Sequence, residues 1–284
     1  MMVMQHTTLI HTSTLANELG NPSLVIVDCR ADLRDHGWGA REHEARHISG
    51  AVHADLERDL SGERTGTNGR HPLPRASDLA ATFSRMGIDA DRQVVAYDQD
   101  TGMYASRLWW LLRWLGHDRV ALLDGGFAKW LAEGRGTAAG AETAATRRFT
   151  PRPRPGMVVN VDDVTAAIGS GDWVLVDARP PERFRGDTEP LDRTPGHIPG
   201  AINHYFKTNL GEAGTFLPPD VLRDRFQQML GPAADRVISY CGSGVTACHN
   251  LLALEHAGLR GARLYPGSWS EWSSEPSRPV ATGG

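Results

Sequence analysis

The chain has 284 residues, enough for two domains of ordinary size. Thirty Lys and Arg stand against 34 Asp and Glu, a net charge of −4, so there is no basic field to hold a polyanion and nucleic acid is not an expected partner. Hydrophobic residues make up 40%, in runs far shorter than the roughly 18–20 residues a membrane-spanning helix needs, so no membrane partner is expected either.

The opening stretch to Gly20 lacks the basic region, apolar core and small-residue cleavage site of a secretory signal. Three cysteines, Cys29, Cys241 and Cys248, are too few for a disulfide framework, which points to a reducing, cytoplasmic setting with free thiols. Val25–Val27 reads as a buried strand, short and β-branched. Ser77–Met86 reads as a helix stopped by Gly87, Val94–Tyr97 as a second strand, Met103–Leu115 as a helix stopped by Gly116, and Val120–Leu123 as a third strand. Gly134 to Gly156 is rich in Gly, Ala, Thr, Arg and Pro without periodic apolar positions, and is expected to be a linker. Beyond it, Pro219–Leu230 and Val245–Ala257 read as helices stopped by Gly231 and Gly258. Strands separated by helices imply an α/β fold with a mostly parallel sheet flanked by helices.

The second half repeats the first. Leu24–Arg30 (LVIVDCR) returns as Trp173–Arg179 (WVLVDAR), and His47–Val52 (HISGAV) as His197–Ile202 (HIPGAI), at offsets of 149 and 150 residues. Val94–Tyr97 answers to Val237–Tyr240, and Asp124–Trp130 to Pro266–Trp272. Four blocks in one order indicate duplication. The expected domains are 1–135 and 157–284, joined by a linker at 136–156.

The copies differ where chemistry would be placed. After Tyr240 the chain continues Cys241-Gly242-Ser243-Gly244-Val245-Thr246-Ala247 toward a helix, whereas after Tyr97 it continues Asp98-Gln99-Asp100-Thr101-Gly102. A cysteine between a strand end and a helix start meets unpaired backbone N–H groups and the positive end of the helix dipole, which favour a thiolate. Gly242 and Gly244 let the backbone curl around the sulfur. Cys248 is expected in the core, and Cys29 stands where the other copy has alanine.

The duplicated units, the Asp-x-Arg blocks, both His-Ile-x-Gly-Ala blocks and the Cys241–Ala247 loop together resemble the tandem rhodanese family of sulfurtransferases, and the loop is most similar to that of its 3-mercaptopyruvate-using members. The resemblance implies two rhodanese-like domains, the first without the cysteine and the second catalytic. It further implies transfer of sulfur from 3-mercaptopyruvate through a Cys241 persulfide to a thiol such as thioredoxin, or to cyanide, with neither metal nor organic cofactor. Thiosulfate-using members carry Arg-Lys directly after the cysteine. Gly242 and Ser243 stand there instead, so a donor with one carboxylate fits better, while thiosulfate remains the alternative donor. By the same resemblance Arg183 and Arg193 bind the donor anion, and the loop residues Gly242, Gly244, Val245 and Thr246 complete the substrate-binding set. Ser243 and His71 move the proton. An acidic residue orients the histidine and falls at Glu57, with Asp55 and Asp59 close enough to compete.

A phosphatase on a related scaffold would need Cys-x5-Arg, and the arginine position is Ala247. A non-catalytic sulfur carrier or partner-binding protein is a third possibility. His43, His47 and His53 lack companion cysteines at zinc spacing, so no metal site is expected. Trp109, Trp110, Trp114, Trp269 and Trp272 are expected to pack in the core.

Overall fold

The structure, a computed structural model, describes residues 5–233 and 235–284. Met1–Met4, part of the stretch read for a secretory signal, lie outside the described residues. The chain divides into two compact units. One comprises the described residues through Ser61, Pro74–Arg154 and Glu212–Thr215; the other comprises Gly62–Leu73, Pro155–Gly211 and Phe216–Gly284.

The first unit runs β1 (Leu9–Ile10), α1 (Thr12–Glu18), β2 (Leu24–Asp28), α2 (Trp38–Ala45), β3 (His47–Ile48), β4 (Ala51–His53), α3 (Ala76–Arg85), β5 (Gln93–Tyr97), α4 (Ala105–Trp114), β6 (Val120–Leu123), α5 (Gly126–Ala132) and β7 (Thr137–Ala138). Among the described residues β1-β6-β5-β2-β4 form one sheet in that order, with every pair parallel. The second unit runs α6 (Val161–Ala167), β8 (Val174–Asp177), α7 (Pro181–Arg185), β9 (Ile202–Asn203), α8 (Pro219–Leu230), β10 (Val237–Tyr240), α9 (Thr246–His256), β11 (Arg263–Leu264) and α10 (Ser268–Trp272). Its parallel sheet has the order β11-β10-β8-β9, and a lone parallel bridge from Val158 to Leu264 stands where β1 stands in the first unit.

Strands buried on both faces are apolar throughout, as Val94–Tyr97 and Val120–Leu123 are. The expected helices appear within two residues of their sequence bounds, and Gly87, Gly116, Gly231 and Gly258 all adopt positive φ at their ends. The sheets anchor the two cores: Ile26, Val95, Tyr97, Phe127 and Trp130 in the first unit, and Leu175, Ile238, Tyr240, Trp269 and Trp272 in the second. Trp110 stacks on Trp114 inside the first unit.

The duplication extends to a buried polar motif. Arg30 forks onto Asp28 and donates to Arg46 O at 2.7 Å, while Tyr97 donates to Asp28 at 2.9 Å and receives Ile48 N–H. Arg179 forks onto Asp177 and donates to Gly196 O at 2.7 Å, and the Tyr240 hydroxyl receives Ile198 N–H. The Asp-x-Arg blocks are thus structural: each ties a strand end to the loop preceding the His-Ile-x-Gly-Ala block. Those histidines are also fixed by backbone, His47 Nδ1 lying 2.6 Å from His43 O and His197 Nδ1 2.8 Å from Phe184 O.

The low-complexity stretch expected to link the copies makes regular contacts with the first unit. Thr137–Ala138 pairs antiparallel with β3, Arg147 N–H donates to Ser84 O, and Phe149 is buried edge-on against Phe83. Sparse anchors on an existing surface leave no periodic signal in sequence, which is why these contacts are not legible there. Among the described residues, no helix is long and apolar enough to cross a membrane.

Candidate active site

The site lies in the second unit, beyond the carboxyl end of β10, where parallel sheets place their chemistry. Cys241 follows Tyr240 directly and is 2% exposed. Its Sγ accepts the N–H of Gly244 at 3.1 Å, so the sulfur meets one amide of the loop that follows it. The backbone that carries it is clamped. Cys241 N–H donates to Ser268 Oγ at 3.1 Å, Trp269 N–H to Cys241 O at 2.9 Å, and Ser270 N–H to Gly242 O at 2.9 Å. Ser268 adopts φ 54, a region costly for a residue with a Cβ, and its hydroxyl donates to Tyr265 O.

The two loop glycines serve different needs. Gly244 has φ +75, and a Cβ there would lie 2.5 Å from Pro266 O, so only glycine makes this turn. Gly242 has ordinary φ. A Cβ there would instead meet side chains, Arg70 Nη2 at 2.7 Å and Arg183 Nη1 and Nη2 at 3.4 and 3.5 Å. Val245 is buried and caps α9, which Thr246 begins half-buried; Cys248, one turn on, donates its thiol hydrogen to Gly244 O.

His71 belongs to the short segment Gly62–Leu73, which packs as part of this unit although it falls within the stretch expected for the first domain. Its Nδ1 lies 2.7 Å from Ser243 Oγ, and both residues are buried. The segment is seated by Arg70 N–H donating to Ser270 Oγ at 3.0 Å and by Gly69, at φ +89, where a Cβ would come within 2.7 Å of Gly267 O. Glu57 belongs to the first unit, where its carboxylate lies 3.4 Å from His36 Nδ1; Asp59 there pairs with Arg58 and accepts Asp55 N–H.

Arg183 faces the loop from α7 but does not stand alone. Asp177, Arg179, Glu189, Arg183, Asp192 and Arg70 form an alternating chain of carboxylates and guanidiniums. Arg179 Nη1 meets Glu189 at 3.2 Å, Arg183 forks onto Glu189 at 2.6 and 3.2 Å, Arg183 Nη2 meets Asp192 at 3.2 Å, and Arg70 Nη1 pairs with the other oxygen of Asp192. Burial pushes the Asp192 carboxyl up from its ordinary value against the lowering effect of Arg70. Arg193, in contrast, is exposed beside this chain.

Sequence reasoning therefore missed Arg70, Glu189, Asp192 and Ser268. A cation directly before His71, and a serine in the second copy where the first has Gly126, were the available signals.

A model of the rhodanese-like domain matches residues 11–133 and 160–275, so the chain belongs to the rhodanese family and carries the domain twice. It is 48% identical over 278 residues to a Pseudomonas aeruginosa protein named "Probable 3-mercaptopyruvate sulfurtransferase", covering 97% of this chain and 98% of that one. It is 38% identical to the human 3-mercaptopyruvate sulfurtransferase, covering 90% and 87% of the two chains. Among solved structures it resembles SseA from Escherichia coli, described as a 3-mercaptopyruvate sulfotransferase of rhodanese fold, with a TM-score of 0.81, 33% identity, and coverage of 94% of this chain and 100% of that one.

Proposed function

We propose that this protein is a sulfurtransferase that takes sulfur from 3-mercaptopyruvate onto Cys241 and passes it to a thiol, such as a thioredoxin-type dithiol, or to cyanide. The observation that carries the reading is the contact of Cys241 Sγ with the Gly244 amide, in a loop whose serine meets a buried histidine. The family and its similarly named relatives point the same way.

In the first half-reaction the Cys241 thiolate attacks the donor sulfur. The S–S bond forms as the donor's C–S bond breaks, and pyruvate departs as its enolate with the bonding electron pair. The enolate carbon takes a proton through Ser243 and His71, with Glu57 the acidic residue assigned to orient the histidine. Loop amides hold the outer sulfur of the persulfide. In the second half an acceptor thiolate attacks that outer sulfur and Cys241 leaves as thiolate; cyanide in its place yields thiocyanate. Arg183 supplies the guanidinium for the donor carboxylate. The three free cysteines fit a reducing, cytoplasmic compartment.

Thiosulfate is the second donor to weigh, since two guanidiniums rather than one stand over Gly242. Comparing kcat/KM for the two donors decides between them, and 3-mercaptopyruvate is expected to be preferred. Incubation with donor alone should add one sulfur atom to the Cys241 peptide by mass spectrometry. Cys241→Ser should fold normally and transfer nothing; sustained turnover by that variant would refute the assignment.

A further inference from the structure

Of the two arginines that resemblance assigns to the donor anion, Arg183 stands over Gly242 while Arg193 is exposed, and the alternating charge chain ends in a second guanidinium over the same residue. Along that chain Arg179 and Arg183 each lie between two carboxylates, whereas Arg70, at the end, pairs with Asp192. Exposure rises along it, from 1% for the Arg179 side chain to 12% for Arg183 and 25% for Arg70, so the terminal guanidinium is the one a solute reaches most readily. Its Nη2 comes closer than either nitrogen of Arg183 to the space over Gly242, the residue after the nucleophile. Its backbone is fixed at Ser270, and the next residue, His71, meets Ser243.

We propose that Arg70 is a donor-recognising residue, forming with Arg183 a two-guanidinium clamp over Gly242 for the carboxylate of the sulfur donor, in the role assigned by resemblance to Arg193. Asp192, bridging both guanidiniums with its two oxygens, marks the kind of group the clamp accepts: a planar, two-oxygen anion. A donor carboxylate enters by taking over contacts that Asp192 makes in the free protein. The glycine at 242 is then required because any side chain there would fill the space between the clamp and the sulfur. This inference rests on the Cys241 sulfurtransferase reading but is tested separately from it.

The test uses the full-length protein with Arg70→Ala, Arg70→Lys and Arg193→Ala. Cys241 is alkylated with iodoacetate, which carries a carboxylate, and with neutral iodoacetamide, the thiolate displacing iodide in both. Arg70→Ala should lower the iodoacetate-to-iodoacetamide rate ratio about ten- to hundredfold and raise KM for 3-mercaptopyruvate by a similar factor, with kcat much less affected. Arg70→Lys keeps the charge without the fork and should recover part of both losses; it also reports if the alanine variant folds poorly. An unchanged ratio in Arg70→Ala, or a loss appearing in Arg193→Ala instead, overturns the proposal. Because the ratio needs no turnover, it reads Arg70 even if 3-mercaptopyruvate proves not to be the donor.

Discussion

After β5 the chain places Asp98 where, after β10, it places Cys241, and the two side chains meet their loop amides differently. The Asp98 carboxylate receives N–H groups from Gly102 at 2.9 Å, Tyr104 at 2.7 Å and Ala105 at 3.2 Å, while Cys241 Sγ receives Gly244 N–H. The surrounding backbone is otherwise matched: Phe127 and Ala128 N–H donate to Asp98 O and Gln99 O as Trp269 and Ser270 N–H donate to Cys241 O and Gly242 O. One scaffold thus turns a side chain toward the amides of its following loop twice, with several amides on Asp98 and one on Cys241. The first copy engages them with a carboxylate; the second presents a sulfur, the atom proposed above to carry the transferred one. Even with these donors, burial leaves the Asp98 carboxyl above its ordinary value, so holding the carboxylate there has a structural cost.

The comparison can be broken most sharply at the His71–Ser243 contact of the proposed proton transfer, which has no counterpart in the first copy among the described residues. Replacing His71 by alanine should lower kcat by about 10²–10⁴ without preventing alkylation of Cys241, as steady-state kinetics and iodoacetamide labelling would reveal. An undiminished kcat would mean that the His71–Ser243 contact only seats the segment. Next comes the Asp98 carboxylate: Asp98→Ala strips partners from buried amides and should cost about 2–3 kcal/mol in chemical denaturation, whereas Cys241→Ala should cost about 1 kcal/mol or less.

A further contrast separates the two Asp-x-Arg motifs. Asp28 has His43 Nδ1 at 3.0 Å, whereas in the second copy the arginine reaches on to Glu189. Burial works to raise the Asp28 pKa, but the hydrogen bonds with His43 and Arg30 and the charge of Arg30 prevail and hold it at about 2. A depressed carboxyl contributes stability that is complete above its unfolded value of 3.8 and is lost as pH falls toward 2, about 2 kcal/mol in all. Acid unfolding followed by circular dichroism should show that limb, and Asp28→Asn should flatten it.

Substitution of Ser268, the residue packed behind Cys241, is expected to have the least effect, and its counterpart in the first copy supplies the control. Gly126 has φ +58 and Ser268 has φ 54 at matching positions, and a Cβ on Gly126 would lie 2.9 Å from Asp98 O. Ser268→Gly relieves the strained φ as it removes the hydroxyl that receives Cys241 N–H, so its stability should change by no more than about 1 kcal/mol. Gly126→Ser, with nothing gained, should cost about 1–3 kcal/mol.

The legible parts of the fold were those written locally. Glycine-stopped helices and β-branched strands appeared within two residues of their expected bounds, because periodicity and left-handed stops depend on neighbours in sequence. The Cys241 loop was readable for the same reason, as strand, glycine turn and helix start are consecutive. His71 came from resemblance, since a histidine 172 residues from Ser243 carries no pattern that pairs them. The anchored stretch around Phe149 was missed because its few contacts lie on a surface formed by residues far away in the chain.

The amino-acid order by itself determined the duplication, the alternation of strand and helix, and which copy places a cysteine directly after its central strand. Only the tertiary structure decided what surrounds that cysteine: Arg70 joined to Asp192 across 122 residues, the Arg183 fork engaged by Glu189, and a serine at positive φ gripping the cysteine's amide. Hydrophobic period and turn chemistry act over a few residues, whereas charge pairing acts through space, and space is assigned only once the chain has folded.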